Sequence, residues 1–133
     1  MTTSDSGDRP RSRILLIEDH ADTRLMYEEF LGPDYDVHGV GDGVAALEAI
    51  EGQVPDVIVT DLALPRMDGY ELIARLHRDA RFAKIPIIAL SGYSGAEHEQ
   101  RVMQVQPVTL LQKPCLPETL VGEVEKHLRR AGK

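Results

Sequence analysis

Cysteine is nearly absent from this 133-residue chain: Cys115 is the only one. That excludes an intrachain disulfide and a thiolate metal cluster, and it fits a reducing compartment. A basic stripe is missing as well. Lys and Arg number 15 against 22 Asp and Glu, for a net charge of -7 at pH 7, and such a surface repels a phosphate backbone. Direct nucleic-acid binding is therefore not expected. No stretch approaches the roughly 20 apolar residues that cross a bilayer, and the run 1–13 lacks the apolar core of a signal peptide. The expectation is a cytoplasmic protein with no membrane association. The five histidines show no convergent metal-binding spacing, although His20 directly follows an acidic pair and borders whatever that pair forms. Internal repeats and low-complexity tracts are lacking too.

What is present suits one folded domain. The length is right for a single compact core, and 42% hydrophobic with 28% charged residues is an ordinary globular balance. The first residues, 1–12, are rich in Ser, Thr, Asp, Arg and Gly, a composition that predicts a disordered tail, so the domain is expected over 13–131. Short apolar runs at 14–17, 35–40, 57–60, 85–90 and 108–111 alternate with helical patterns at 21–31, 44–50, 70–77, 96–105 and 118–130. Strand followed by helix, five times over, predicts a doubly wound α/β domain: a five-stranded parallel sheet with helices on both faces. Asp68 with Glu71, and Ser94 with Glu97, have the spacing of capping boxes. The run 39–43 (GVGDG) lacks the third glycine of a dinucleotide fingerprint and reads as a turn that Asp42 caps. The last helical pattern stops almost at the end of the chain, so a stand-alone module is expected.

Ligands of such sheets gather at the carboxyl ends of the strands. Those ends carry Glu18 and Asp19, then Asp61, Ser91 and Lys113. Three carboxylates converging in one cleft would repel each other without a cation. Mg²⁺ suits the set because it prefers oxygen ligands and binds through one or two carboxylates plus a phosphate. Asp61 is then placed to act as a nucleophile toward a phosphoryl donor, with Mg²⁺ and Lys113 neutralising the transferring oxygens and Ser91 donating to one of them.

The run 15–19 (LLIED), the run 57–69 (VIVTDLALPRMDG), Leu90-Ser91-Gly92 and Lys113-Pro114 together resemble the bacterial response-regulator receiver domain, of flavodoxin-like (βα)5 fold. The resemblance covers nearly all of the chain after the tail. It implies a phosphoacceptor switch, not an enzyme beyond slow self-dephosphorylation. Asp61 would take a phosphoryl group from a sensor histidine kinase or a histidine phosphotransfer protein. Glu18, Asp19, Asp61 and the backbone carbonyl of Ala63 would hold Mg²⁺. The resemblance also makes Lys113-Pro114 a candidate cis peptide. Leu110 stands where many members carry an aromatic switch residue. Cys115 stands where Phe is common, and the segment 104–107 replaces a usual Gly-Ala pair. Output would pass to an unidentified protein partner, and the sequence leaves open whether the chain forms a homodimer. Two other readings are a receiver-like scaffold that is never phosphorylated and a Mg²⁺-dependent phosphohydrolase. The latter lacks a second acid two residues after Asp61, where Ala63 stands.

Overall fold

The computed structural model describes residues 11–132. Five strands, β1 (Arg13–Ile17), β2 (Asp36–Val40), β3 (Val57–Asp61), β4 (Ile87–Ser91) and β5 (Thr109–Gln112), alternate with five helices. The helices are α1 (Ala21–Leu31), α2 (Gly43–Gly52), α3 (Gly69–Arg78), α4 (Ala96–Gln104) and α5 (Pro117–Arg130). All pairings are parallel, in the order β2-β1-β3-β4-β5. The order reverses between β1 and β3, which opens a crevice at their carboxyl ends.

The period-2 alternation of the strands sorts their side chains into two cores. Ile14, Leu16, Val57, Val59, Ile88 and Leu90 pack with Tyr27 and Leu31 of α1 and with Leu120, Val124 and Leu128 of α5. Leu15, Ile17, Ile58, Ile87 and Ala89 turn the other way, onto α2, α3 and α4. The three inner strands are buried on both faces and so read as continuous apolar runs, whereas β2 and β5, at the edges, are only partly buried.

Most of the expected tail lies outside the described residues. Its last two members are held to the domain: Arg11 donates to the Gly32 carbonyl at 3.0 Å and the Ser12 carbonyl accepts from the Asp36 amide at 2.9 Å. Asp42 caps α2 through the Ala45 amide at 2.8 Å, as its spacing predicts. Asp68 caps α3 through the Glu71 amide at 2.9 Å, but Glu71 does not reach back, because its carboxylate accepts from Arg75 at 2.8 Å. The second capping box does not form. Gly95, with φ 103°, occupies the cap position of α4 and no side chain caps that helix. A left-handed backbone there suits glycine, and Ser94 stands one position before the cap.

Candidate functional site

Glu18, Asp61 and Ser91 are buried at the carboxyl ends of their strands, at 1%, 2% and 1% exposure. Each is placed by the strand that ends there. The Glu18 amide continues the β1 ladder by donating to the Val40 carbonyl at 3.0 Å, and the Lys113 amide extends β5 by donating to the Ser91 carbonyl at 2.8 Å. The β3–α3 connection returns tightly beneath Asp61: the Gly69 amide donates to the Leu62 carbonyl at 2.9 Å. A Cβ on Gly69 would lie 2.6 Å from the Asp61 carbonyl oxygen and from Leu62 Cα, so only glycine lets the two backbones approach this closely.

Lys113 Nζ stands 2.5 Å from Asp61 Oδ2 and 3.9 Å from Glu18 Oε1. The other Asp61 oxygen, Oδ1, accepts from the Ala63 amide at 3.0 Å. Burial works against the Lys113 charge, but the hydrogen bond to Asp61 and the nearby Glu18 and Asp19 outweigh it and hold its pKa above the ordinary lysine value. The Glu18 pKa is raised too, which for a carboxylate disfavours the charged form. Burial pushes its pKa up and Asp61 adds to the push, against hydrogen bonds from His20 and the attraction of Lys113. Ser91 Oγ accepts from the Tyr93 amide at 2.9 Å, which ties the hydroxyl to the loop leading into α4. The Lys113–Pro114 peptide is cis, as is Gln106–Pro107.

A cation fits this donor set. Glu18 Oε1 is the one buried side-chain oxygen or nitrogen among the described residues with no hydrogen-bond partner, and a buried carboxylate oxygen left so is costly. Oxygen atoms of Glu18 and Asp19 and a ring nitrogen of His20 lie within 4.8 Å of one another. The sequence places His20 only beside the acidic pair; the turn into α1 brings its ring onto both carboxylates.

Leu110 is 40% exposed and lines an open cleft of about 550 Å³ together with Ser91, Tyr93, His98 and Met103. Two of these lining residues, Tyr93 and His98, belong to a cluster of rings. Tyr93 meets His98 edge-on with centroids 6.0 Å apart, the Tyr70 hydroxyl hydrogen-bonds His98 Nδ1, and the Arg101 guanidinium lies 3.9 Å over the Tyr70 ring. No sequence signal joins Tyr70 to His98, which are 28 residues apart.

A family model described as the response regulator receiver domain matches residues 14–125. The chain belongs to that family. Sensor histidine kinase TmoS of Ectopseudomonas mendocina is 34% identical over 118 residues, covering 89% of this chain and 12% of the kinase. A signal receiver domain of a signal transduction histidine kinase from Syntrophus aciditrophicus superposes with TM-score 0.84 at 27% identity, over 89% of this chain and 90% of that one. Chemotaxis response regulator CheY4 of Vibrio cholerae superposes with TM-score 0.81 at 28% identity, over 89% of this chain and 99% of that one. The receiver domain spans between 7 and 28% of the length of TmoS and two other curated relatives. Receiver domains are signalling modules of two-component systems, and the five parallel strands with their five helices are the fold of the CheY-like neighbours. Among the described residues no helix is long and apolar enough to cross a membrane.

Proposed function

We propose that this receiver domain is a Mg²⁺-dependent phosphoacceptor in which Asp61 is the nucleophile. The observation that carries the reading is the convergence of Lys113 on Asp61 and Glu18 at the switch point of the sheet. An Asp61 carboxylate oxygen attacks the phosphorus of a phosphohistidine on a kinase or phosphotransfer protein; the P–O bond forms, the P–N bond breaks and the imidazole leaves. Glu18, Asp19, Asp61 and the Ala63 carbonyl are the groups that would hold the cation, and Mg²⁺ bound there would neutralise charge on the transferring oxygens. Lys113 pairs with a phosphoryl oxygen once Asp61 is modified. Ser91 donates its O–H to a phosphoryl oxygen while its Oγ still accepts from the Tyr93 amide, and so draws with it the loop that leads into α4.

The output of the proposed switch is protein contact by a cytoplasmic module. The net charge of -7 supports a protein rather than a nucleic-acid target. Intact-mass spectrometry after incubation with acetyl phosphate tests the core of this proposal. One added phosphoryl group, dependent on Mg²⁺ and absent from Asp61→Asn, is expected. Phosphorylation of Asp61→Asn at the native rate would overturn the assignment. Absence of any adduct, with no beryllofluoride binding by the wild type, would leave a scaffold.

A further inference from the structure

An oxygen-only cation site leaves His20 without a part. This residue stands at the cap position of α1 with extended backbone (φ -81°, ψ 115°), yet its side chain caps nothing. The ring is turned back on the acidic pair instead. Nδ1 lies 3.2 Å from Glu18 Oε2 and 3.4 Å from Asp19 Oδ1, while the His20 amide donates to the same Glu18 oxygen at 3.1 Å. One ring nitrogen thus faces carboxylate oxygens of two different residues, and a single N–H serves one of them well.

The same three atoms suit a coordination sphere. With metal–ligand bonds of about 2.1 Å, adjacent ligands of an octahedron lie roughly 3.0 Å apart, close to both separations measured here. The second oxygen of Glu18 is buried, has no hydrogen-bond partner and meets Lys113 Nζ only at 3.9 Å, so a cation on the carboxylate that anchors the cluster offsets charge that Lys113 leaves. The His20 side chain is 74% exposed, which leaves the cluster open to an entering ion.

We propose that His20 Nδ1 is a ligand of the cation site, which makes it a mixed carboxylate–imidazole site that prefers a transition-series divalent cation over Mg²⁺. Imidazole adds little for Mg²⁺, a hard ion that favours oxygen, whereas affinity for nitrogen ligands rises along the series toward Ni²⁺. The inference deepens the phosphoacceptor reading and rests on it for the purpose of the cation, not for the geometry of His20.

The test is calorimetric titration of the tag-free full chain with Ni²⁺ and, separately, with Mg²⁺, for wild type, His20→Ala and Glu18→Gln. Wild type is expected to bind Ni²⁺ at least about a hundredfold more tightly than Mg²⁺. His20→Ala should weaken Ni²⁺ by roughly tenfold or more while Mg²⁺ stays within about twofold, and Glu18→Gln should weaken both. Unchanged or tighter Ni²⁺ binding in His20→Ala would overturn the proposal, because a ring that merely ion-paired with the acids would compete with the metal. Ni²⁺ binding indifferent to Glu18→Gln would place the ion elsewhere and overturn it equally. Acetyl phosphate labelling of the same variants with Mg²⁺ separates the two readings: an adduct without His20-dependent Ni²⁺ binding removes only this inference, and the converse removes only the phosphoacceptor.

Discussion

Lys113 Nζ lies between two buried carboxylates, 2.5 Å from Asp61 Oδ2 and 3.9 Å from Glu18 Oε1, so one ammonium faces two negative charges and offsets one of them. Removing one partner of a buried charge group leaves the others uncompensated. Lys113→Ala should therefore lower the stability of the metal-free domain by roughly 1–3 kcal/mol, less than for a wholly buried pair because its side chain is 31% exposed. The same variant should gain more stability from Mg²⁺ than wild type does, since the cation supplies the missing charge. Urea denaturation with and without Mg²⁺ reads both effects. Equal Mg²⁺ stabilisation of the two proteins would show that Lys113 and the cation do not share those carboxylates.

Glu18 gives the metal-free domain a pH dependence of the opposite sense to an ordinary ion-paired acid. Burial raises its pKa in the folded state, so the folded protein binds that proton more tightly than the unfolded chain. This contribution favours folding below the ordinary glutamate range and turns unfavourable as the pH rises through the raised value. Glu18→Gln should flatten that fall and leave the metal-free protein as stable as wild type, or more so, at neutral pH. Denaturant midpoints from pH 4 to 8 in chelator check it, and a variant clearly less stable at pH 7 would contradict it.

How these two residues come to meet is only partly legible in the sequence. Alternating apolar runs announce the parallel sheet, and the acids that end β1 and β3 announce the crevice, because both are local patterns. The boundaries are less local. The expected fourth strand, 85–90, becomes Ile87–Ser91. Pro86 has no amide to give to a ladder, although its carbonyl still accepts from the Ile58 amide at 3.0 Å. Ser94 has the spacing of a cap, yet Gly95 adopts a conformation that the serine-plus-glutamate pattern does not encode. The Tyr70–His98 hydrogen bond joins residues 28 apart and the turn of His20 onto Glu18 is a matter of local backbone angles, and no periodicity reports either.

Tyr27 extends the chain of dependence to the α1–β5 side. Its hydroxyl donates to the Cys115 carbonyl at 2.9 Å, and burial, with nearby Cys115 adding, pushes its pKa up to about 12. The folded state keeps the phenolic proton after the unfolded chain has begun to lose it, so stability falls as the pH rises from about 10 toward 12. Tyr27→Phe should remove this alkaline loss at a cost of about 1 kcal/mol at neutral pH for the missing hydrogen bond. Absorbance titration of the phenolates checks the first part, and chemical denaturation the second.

Asp68 joins the cap of α3 to α4. It accepts from the Glu71 amide at 2.9 Å and from Arg101 Nη2 at 2.9 Å. Burial tends to raise its pKa, but those two partners outweigh burial and hold the carboxyl below the ordinary range. A depressed folded-state pKa contributes stability above the unfolded value and loses it as the pH falls through the folded one. Asp68→Ala should cost about 1 kcal/mol at pH 7, and the difference from wild type should shrink in acid. An undiminished difference at pH 3 would mean that the loss comes from packing and not from the ionised cap.

Gly69 offers the sharpest test of how the backbone presents Asp61. A methyl group there would sit 2.6 Å from the Asp61 carbonyl oxygen and Leu62 Cα, and both are backbone atoms that cannot rotate aside. Gly69→Ala must therefore shift the end of β3 or the start of α3, with an expected loss of roughly 1–3 kcal/mol. Because the displaced atoms belong to the proposed phosphoacceptor, labelling by acetyl phosphate should slow even in the fraction that remains folded. Normalising the labelling rate to the folded fraction, measured by circular dichroism in the same sample, separates the two effects. A normal rate in the folded fraction would show that the crevice tolerates movement of the strand that carries Asp61, and that Gly69 serves the fold alone.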